Sequence, residues 1–261
     1  MSVIPVARRV FLFLGLPVVL VLTWWFASAD SVAFYQPPLS KILAVFPSTW
    51  TWQRFDHDVV PSLTRLAVGY AIALGLGIGL GALIGSYRSL RALLEPVLEF
   101  LRAIPPPVLV PIFLLIAGIE NTSKILVIAS GCVWPVLLNT VEGVRSVDEV
   151  LGDTCRSYRI GGVRRLFTFV LRSASPQIMA GARQALSLGL ILMVISELKA
   201  AHDGIGFAIT EFKDGFQIPE MYSGVLVLGA IGVALALLFW LVERRVLLWY
   251  RGARAAERSA P

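Results

Sequence analysis

The chain has 261 residues, 57% of them apolar before its 22 glycines are counted and only 15% charged, with a mean hydropathy of +0.77. A soluble domain is about 45–50% apolar with glycine included and about 25% charged. A disordered chain, a coiled coil and an ordinary cytosolic enzyme are therefore excluded, and an integral membrane protein remains. Cys132 and Cys155 are too few for a disulfide framework or a zinc site.

Six stretches are apolar over the roughly 20 residues a helix needs to cross a bilayer: Val10–Ser28, Val59–Gly85, Pro96–Gly118, Lys124–Val141, Pro176–Ser196 and Tyr222–Val242. None alternates as a barrel strand would, so the expected fold is all-α, a single transmembrane domain over 1–261. Arg8-Arg9, the first apolar run and Ala27-Ser28-Ala29 have the outline of a signal peptide. The run is long for one, and an uncleaved first helix at about 10–28 is expected. In the second span Gly77, Gly81 and Gly85 repeat every fourth residue. Such a ridge lets helix backbones approach closely; lining of a permeation path is the alternative. Pro105–Pro107 remove backbone bonds and should distort the third span, and Pro135 should bend the fourth.

Between the fourth and fifth spans lies the longest polar segment, Val147–Arg172. Asp148 can cap a short helix over Glu149–Tyr158, with Gly161-Gly162 to end it. Leu151, Cys155 and Tyr158 fall on one face by spacing. Docking into a partner's groove and lying on lipid headgroups fit this pattern equally.

Orientation follows from the basic residues. With both termini inside, the cytoplasmic segments carry 16 basic against eight acidic residues and the external ones five against nine. The excess positive charge is thus a topology signal, and no nucleic-acid partner is implied. Arg65 and Arg183 fall within spans, where a charge is costly and faces the bundle interior or water. Both are candidates for a substrate path, with snorkelling or pairing to a carboxylate as the plainer reading.

Several chemistries are absent. No lysine follows a glycine, so the chain has no phosphate-cradling loop. No metalloprotease or nucleophile-elbow motif occurs, which argues against an intramembrane enzyme. A secondary transporter would place paired ionisable groups in mid-membrane.

The stretch from His57 to Arg251 resembles the inner-membrane permease subunits of bacterial ABC importers for sulfonate, taurine, nitrate and related solutes. Four blocks carry the likeness. Pro37–Leu43 is the first. Leu101–Pro105, Pro111–Phe113, Gly118-Ile119 and Ser123–Ile125 form the second. Pro135–Thr140 with Gly143–Asp148, and Ser196–Leu198 with Asp203–Phe207, complete the set. The resemblance implies a type I importer transmembrane domain of six helices, N-in and C-in, in the bacterial inner membrane. The permease core would be 57–251, with a coupling helix at about 149–162. It also implies two ATP-binding subunits, a second permease subunit (identical or different) and a periplasmic or lipid-anchored solute-binding protein. ATP and Mg would be bound by the partners, and no cofactor by this chain. The coupling positions are Asp153, Thr154, Cys155, Arg156, Tyr158, Arg159, Ile160 and Gly161. The family pattern there is Glu-Ala-Ala, a glycine four residues beyond the triplet, then Leu-Pro and a further proline. Asp153-Thr154-Cys155 replaces the triplet, Arg159 stands at the glycine and Arg172 at the first proline; Pro176 is kept.

Overall fold

The computed structural model describes residues 6–147, 153–155, 157–199, 201–250 and 252, with side chains from Gly15 onward. Among these residues every regular element is a helix. The main ones are α1 (Val6–Ser28), α2 (Leu39–Thr49), α3 (Val60–Ser86), α4 (Arg88–Ala103), α5 (Val110–Ala117), α6 (Asn121–Arg145), α7 (Leu171–Lys199), α8 (Ile205–Asp214) and α9 (Ile218–Val246). Four continuous helical stretches are long and apolar enough to cross a membrane: Trp52–Ser86, Asn121–Arg145, Gly162–Lys199 and Ile218–Val246. They cover the second, fourth, fifth and sixth expected spans. The helix α1 is apolar over Gly15–Ser28.

The third span departs from expectation. Instead of one helix over Pro96–Gly118, α4 starts at Arg88 and stops at Ala103, and the chain turns by 78° before Pro106–Ala117. Ile104, followed by a proline, is extended (φ −73°, ψ 117°), and Pro105 is too (φ −64°, ψ 123°). A proline ring disfavours the helical conformation of the residue before it, so three prolines in a row break the helix rather than bend it. Counting that pair as one span gives five. Pro135, by contrast, is absorbed within the unbroken α6.

The core is a three-helix packing of α3, α6 and α7. Leu66 and Ala73 from α3 meet Val127, Ile128, Cys132 and Val136 from α6 and Ala185, Leu192 and Met193 from α7, all at most 2% exposed. The glycine ridge sets the α3–α6 distance. A Cβ on Gly77 would lie 2.7 Å from Val136 Cβ, and one on Gly81 2.7 Å from Thr140 Cβ and 2.8 Å from the Leu137 carbonyl oxygen. Gly75 and Gly79, on another face, meet nothing within 4 Å. They line an apolar cavity of about 1060 Å³ between α3, Leu166–Phe167 and the start of α7.

This contrast yields a paired expectation. Gly81→Val must displace backbone and should cost about 1–3 kcal/mol, the range for overpacking. Gly79→Ala should be neutral or stabilise by about 0.5–1 kcal/mol, since alanine loses less freedom in a helix. Thermal unfolding of the two variants in detergent checks the difference.

Candidate functional site

Two regions at opposite ends of the bundle hold the residues singled out by the sequence. At the acidic end, Ser62 and Arg65 sit one turn apart on α3, facing Glu197 near the end of α7. Arg65 is 2% exposed and Glu197 1%. The Arg65 Nη1 donates to Glu197 Oε1 at 2.9 Å and to the Asp203 carbonyl oxygen at 3.2 Å, and its Nε donates to Asn121 Oδ1 at 2.7 Å. Its Nη2 is paired with the Asp203 carboxylate. All three guanidinium nitrogens are engaged by protein acceptors, so Arg65 stands in a structural clamp.

Glu197 organises the same clamp from the other side. It accepts from Ser62 Oγ at 2.7 and 2.9 Å and from the Gly206 N–H, in the first turn of α8, at 3.0 Å. Ser62 Oγ in turn accepts from the Ile205 N–H at 2.9 Å, and Asp58 Oδ1 accepts from the Gly204 N–H at 3.3 Å. Three buried backbone donors at the start of α8, which lack intrahelical acceptors, are thereby satisfied by buried oxygens, and the negative charge lies where a helix dipole favours it. Gly204 has φ +110°, and a Cβ there would sit 2.6 Å from the Glu197 carboxyl carbon. Only glycine fits. The two blocks Ser196–Leu198 and Asp203–Phe207 are therefore one device that fastens α8 to the core.

A second block has a similar explanation. Gly118 ends α5 at φ +73°, and Lys124, 2% exposed, donates its ammonium to the carbonyls of Ile119 and Glu120. His57 lies exposed beside Asp58, its Nδ1 2.9 Å from Oδ1.

Arg183 is differently placed. Its side chain is 55% exposed, pairs with Glu243 of α9 and lies over the Phe239 ring at 5.8 Å.

At the arginine-rich end lies the segment expected to couple. Residues 148–152 and Arg156 are outside the described residues, so the Asp148 cap, Leu151 and the helix start fall there. Asp153–Cys155 and Ser157 are helical. Cys155 is buried, whereas Tyr158 is 77% exposed, so these two do not share a buried face. The helix ends earlier than the glycine pair. Arg159 takes the left-handed conformation (φ +53°), and the Ile160 N–H donates to the Cys155 carbonyl at 2.8 Å. That six-to-one bond is the Schellman closure, with arginine at the position glycine normally fills. Gly161 is extended and Gly162 has φ +59°. With Arg172 where the pattern has proline, helix runs on from Gly162 through a π turn at Leu166–Val170 into α7.

A non-glycine residue in the left-handed region costs roughly 1–2 kcal/mol. Arg159→Gly should relieve about 1 kcal/mol of this, slowing hydrogen exchange of the Ile160 amide about fivefold.

The fold defines an all-helical membrane domain, with four or five helical stretches long and apolar enough to cross a bilayer among the described residues. Residues 71–247 match the family described as binding-protein-dependent transport system inner membrane component. The taurine transport system permease protein TauC of Escherichia coli is 30% identical over 94% of this chain and 92% of its own length. An aliphatic sulfonates transport permease protein, SsuC of Bacillus subtilis, is 28% identical over 90% and 86%. The bicarbonate transport system permease protein CmpB of Synechococcus elongatus is 34% identical over 68% and 64%. A chain of the MetNI methionine ABC transporter superposes with a TM-score of 0.62 at 16% identity, covering 73% of this chain and 93% of that one. The chain belongs to the family of binding-protein-dependent transport system inner membrane components. It is a multi-pass inner-membrane permease subunit with the fold of a type I importer.

Proposed function

We propose that this permease carries a small anionic or zwitterionic solute of the sulfonate or taurine kind. The observation that carries the reading is that relatives named for sulfonates and for taurine each match nine-tenths or more of the chain. The relative named for bicarbonate is again a permease for a small anion. In the proposed assembly a solute-binding protein delivers the solute at the acidic end, where Glu197 and Arg65 hold α8 in place. Two ATP-binding subunits dock at the arginine-rich end around Asp153–Gly161, and a second permease subunit completes the path. Both termini lie in the cytoplasm, as the distribution of arginine favours. ATP and Mg belong to the partners, because this chain has no phosphate-cradling loop.

The test is purification of the tagged chain from its own membranes, identification of what accompanies it, and reconstitution in vesicles. ATP-dependent uptake of taurine or an alkanesulfonate is the expected result. Uptake without any ATP-binding subunit, or ATP hydrolysis by the chain alone, would overturn the reading.

A further inference from the structure

We infer that the outward face of α7 carrying Gln184 and Ser187, with Asn139 of α6 beside it, lines the solute path and supplies its hydrogen-bonding groups. The inference rests on the proposed importer role. It starts from a contrast between exposed faces at the same depth. On α9, ahead of its basic last turn, the exposed side chains are apolar, among them Val225, Val233, Leu237, Leu238 and Leu241. On α3 they are Val68, Ile72, Leu76, Leu80 and Leu83. Those faces suit lipid. On α7 the residues Gln177, Gln184 and Ser187 are exposed, and with Ser173 they fall on one helical face by their spacing, a polar stretch that ends at the exposed Ile191.

Depth makes the contrast count. Near the middle of the packed helices Gly189 of α7 lies against Cys132 of α6, and Leu190 against Gly232 of α9. At 1.5 Å per residue, Ser187 is about 3 Å and Gln184 about 7.5 Å from the Gly189 level. Both fall within the ~15 Å half-thickness of the hydrocarbon. Polar side chains there are costly against lipid and face a partner helix or water.

A role as internal glue explains only part of the arrangement. Gly181 brings α7 so close to α6 that a Cβ would stand 2.6 Å from the Pro135 carbonyl oxygen and 2.7 Å from Asn139 Cβ. Asn139 Nδ2 donates to that same carbonyl at 2.8 Å and to Gln184 Oε1 at 3.4 Å. Gln184 is therefore held by its oxygen, and among the described residues its amide nitrogen has no acceptor. An N–H pair left over at hydrocarbon depth on an exposed face is suited to the oxygens of a sulfonate or carboxylate. Among the described residues the nearest charge, on the adjacent Arg183, is compensated by Glu243. The face can thus offer hydrogen bonds to a passing anion without trapping it.

The experiment uses the full transport system in membranes, with Cys132 and Cys155 replaced by alanine. Gln184→Cys, Ser187→Cys and, as a lipid-facing reference, Val233→Cys are exposed to a membrane-impermeant, negatively charged thiol reagent. Both α7 cysteines are expected to react at least tenfold faster than the one at 233. Rates no higher than that reference, or quantitative disulfide linkage of two permease subunits through Ser187→Cys, would overturn the inference. Ser187→Cys is nearly isosteric and guards against loss of fold. The labelling does not depend on the solute carried, so absent taurine and sulfonate uptake by the same membranes would count against the proposed solute alone.

Discussion

Replacing Glu197 by alanine is expected to lower the stability of the permease by about 3–5 kcal/mol, the range for breaking a buried ion pair from one side. The reason is what the change leaves behind. Arg65 would remain 2% exposed with its charge opposed only by Asp203, whose side chain is 34% exposed. Ser62 and the Gly206 N–H would each lose a buried acceptor, a further cost for every polar group left unsatisfied. Glu197→Gln should cost less, because an amide oxygen can still accept from Gly206. Asp203→Asn should cost about 1 kcal/mol or less, as for a pair open to solvent. Thermal unfolding of the purified complex ranks the three variants. An unchanged melting temperature in Glu197→Ala would refute the clamp. The double replacement of Arg65 and Glu197 should be less damaging than the sum of the singles, since neither charge is then stranded.

Much of this clamp was legible as parts but not as a unit. Arg65 stands out because a charge inside an apolar run is expensive. Its acidic partners, Glu197 and Asp203, were hidden by distance along the chain, more than 130 residues away, and by their assignment to an external segment. The rule that an intramembrane charge needs an opposite one did not single out Glu197, which stands one residue beyond the expected end of the fifth span, since Asp58 is far nearer to Arg65 along the chain. Ser62 carried no signal of its own, since serine is unremarkable near a helix end. The glycine ridge was readable because period four on a helix has one geometric meaning, and Gly77, Gly81 and Gly85 each abut α6. The broken third span was half readable: the prolines located the distortion, but its size depends on packing of the short α5 against α6. The left-handed Arg159 could not be read, because only the glycine of the resembling family marked that position, and this chain has arginine there.

Under the proposed assembly, Tyr158→Asp is expected to reduce transport by an order of magnitude or more while leaving the membrane bundle folded. Tyr158 is 77% exposed, so its loss removes no core contact. It sits directly before the left-handed Arg159, on a helix end closed by the Ile160–Cys155 bond, which fixes its place relative to the start of α7. From Gly162 the helix continues without interruption into α7, so a force applied at Tyr158 reaches the face that carries Gln184. An aromatic side chain buried in a partner's cleft commonly contributes 2 kcal/mol or more to binding, roughly a thirtyfold change in affinity. Placing a carboxylate there adds the cost of desolvating a charge. Tyr158→Phe should retain most activity, because the ring remains. The informative measurement is a pair: melting temperature of the variant chain, expected unchanged, against ATP-driven uptake and recovery of ATP-binding subunits, expected to fall together. A variant that assembles and transports like the parent would remove Tyr158 from the contact. A variant with a lowered melting temperature would show instead that the tyrosine supports the fold.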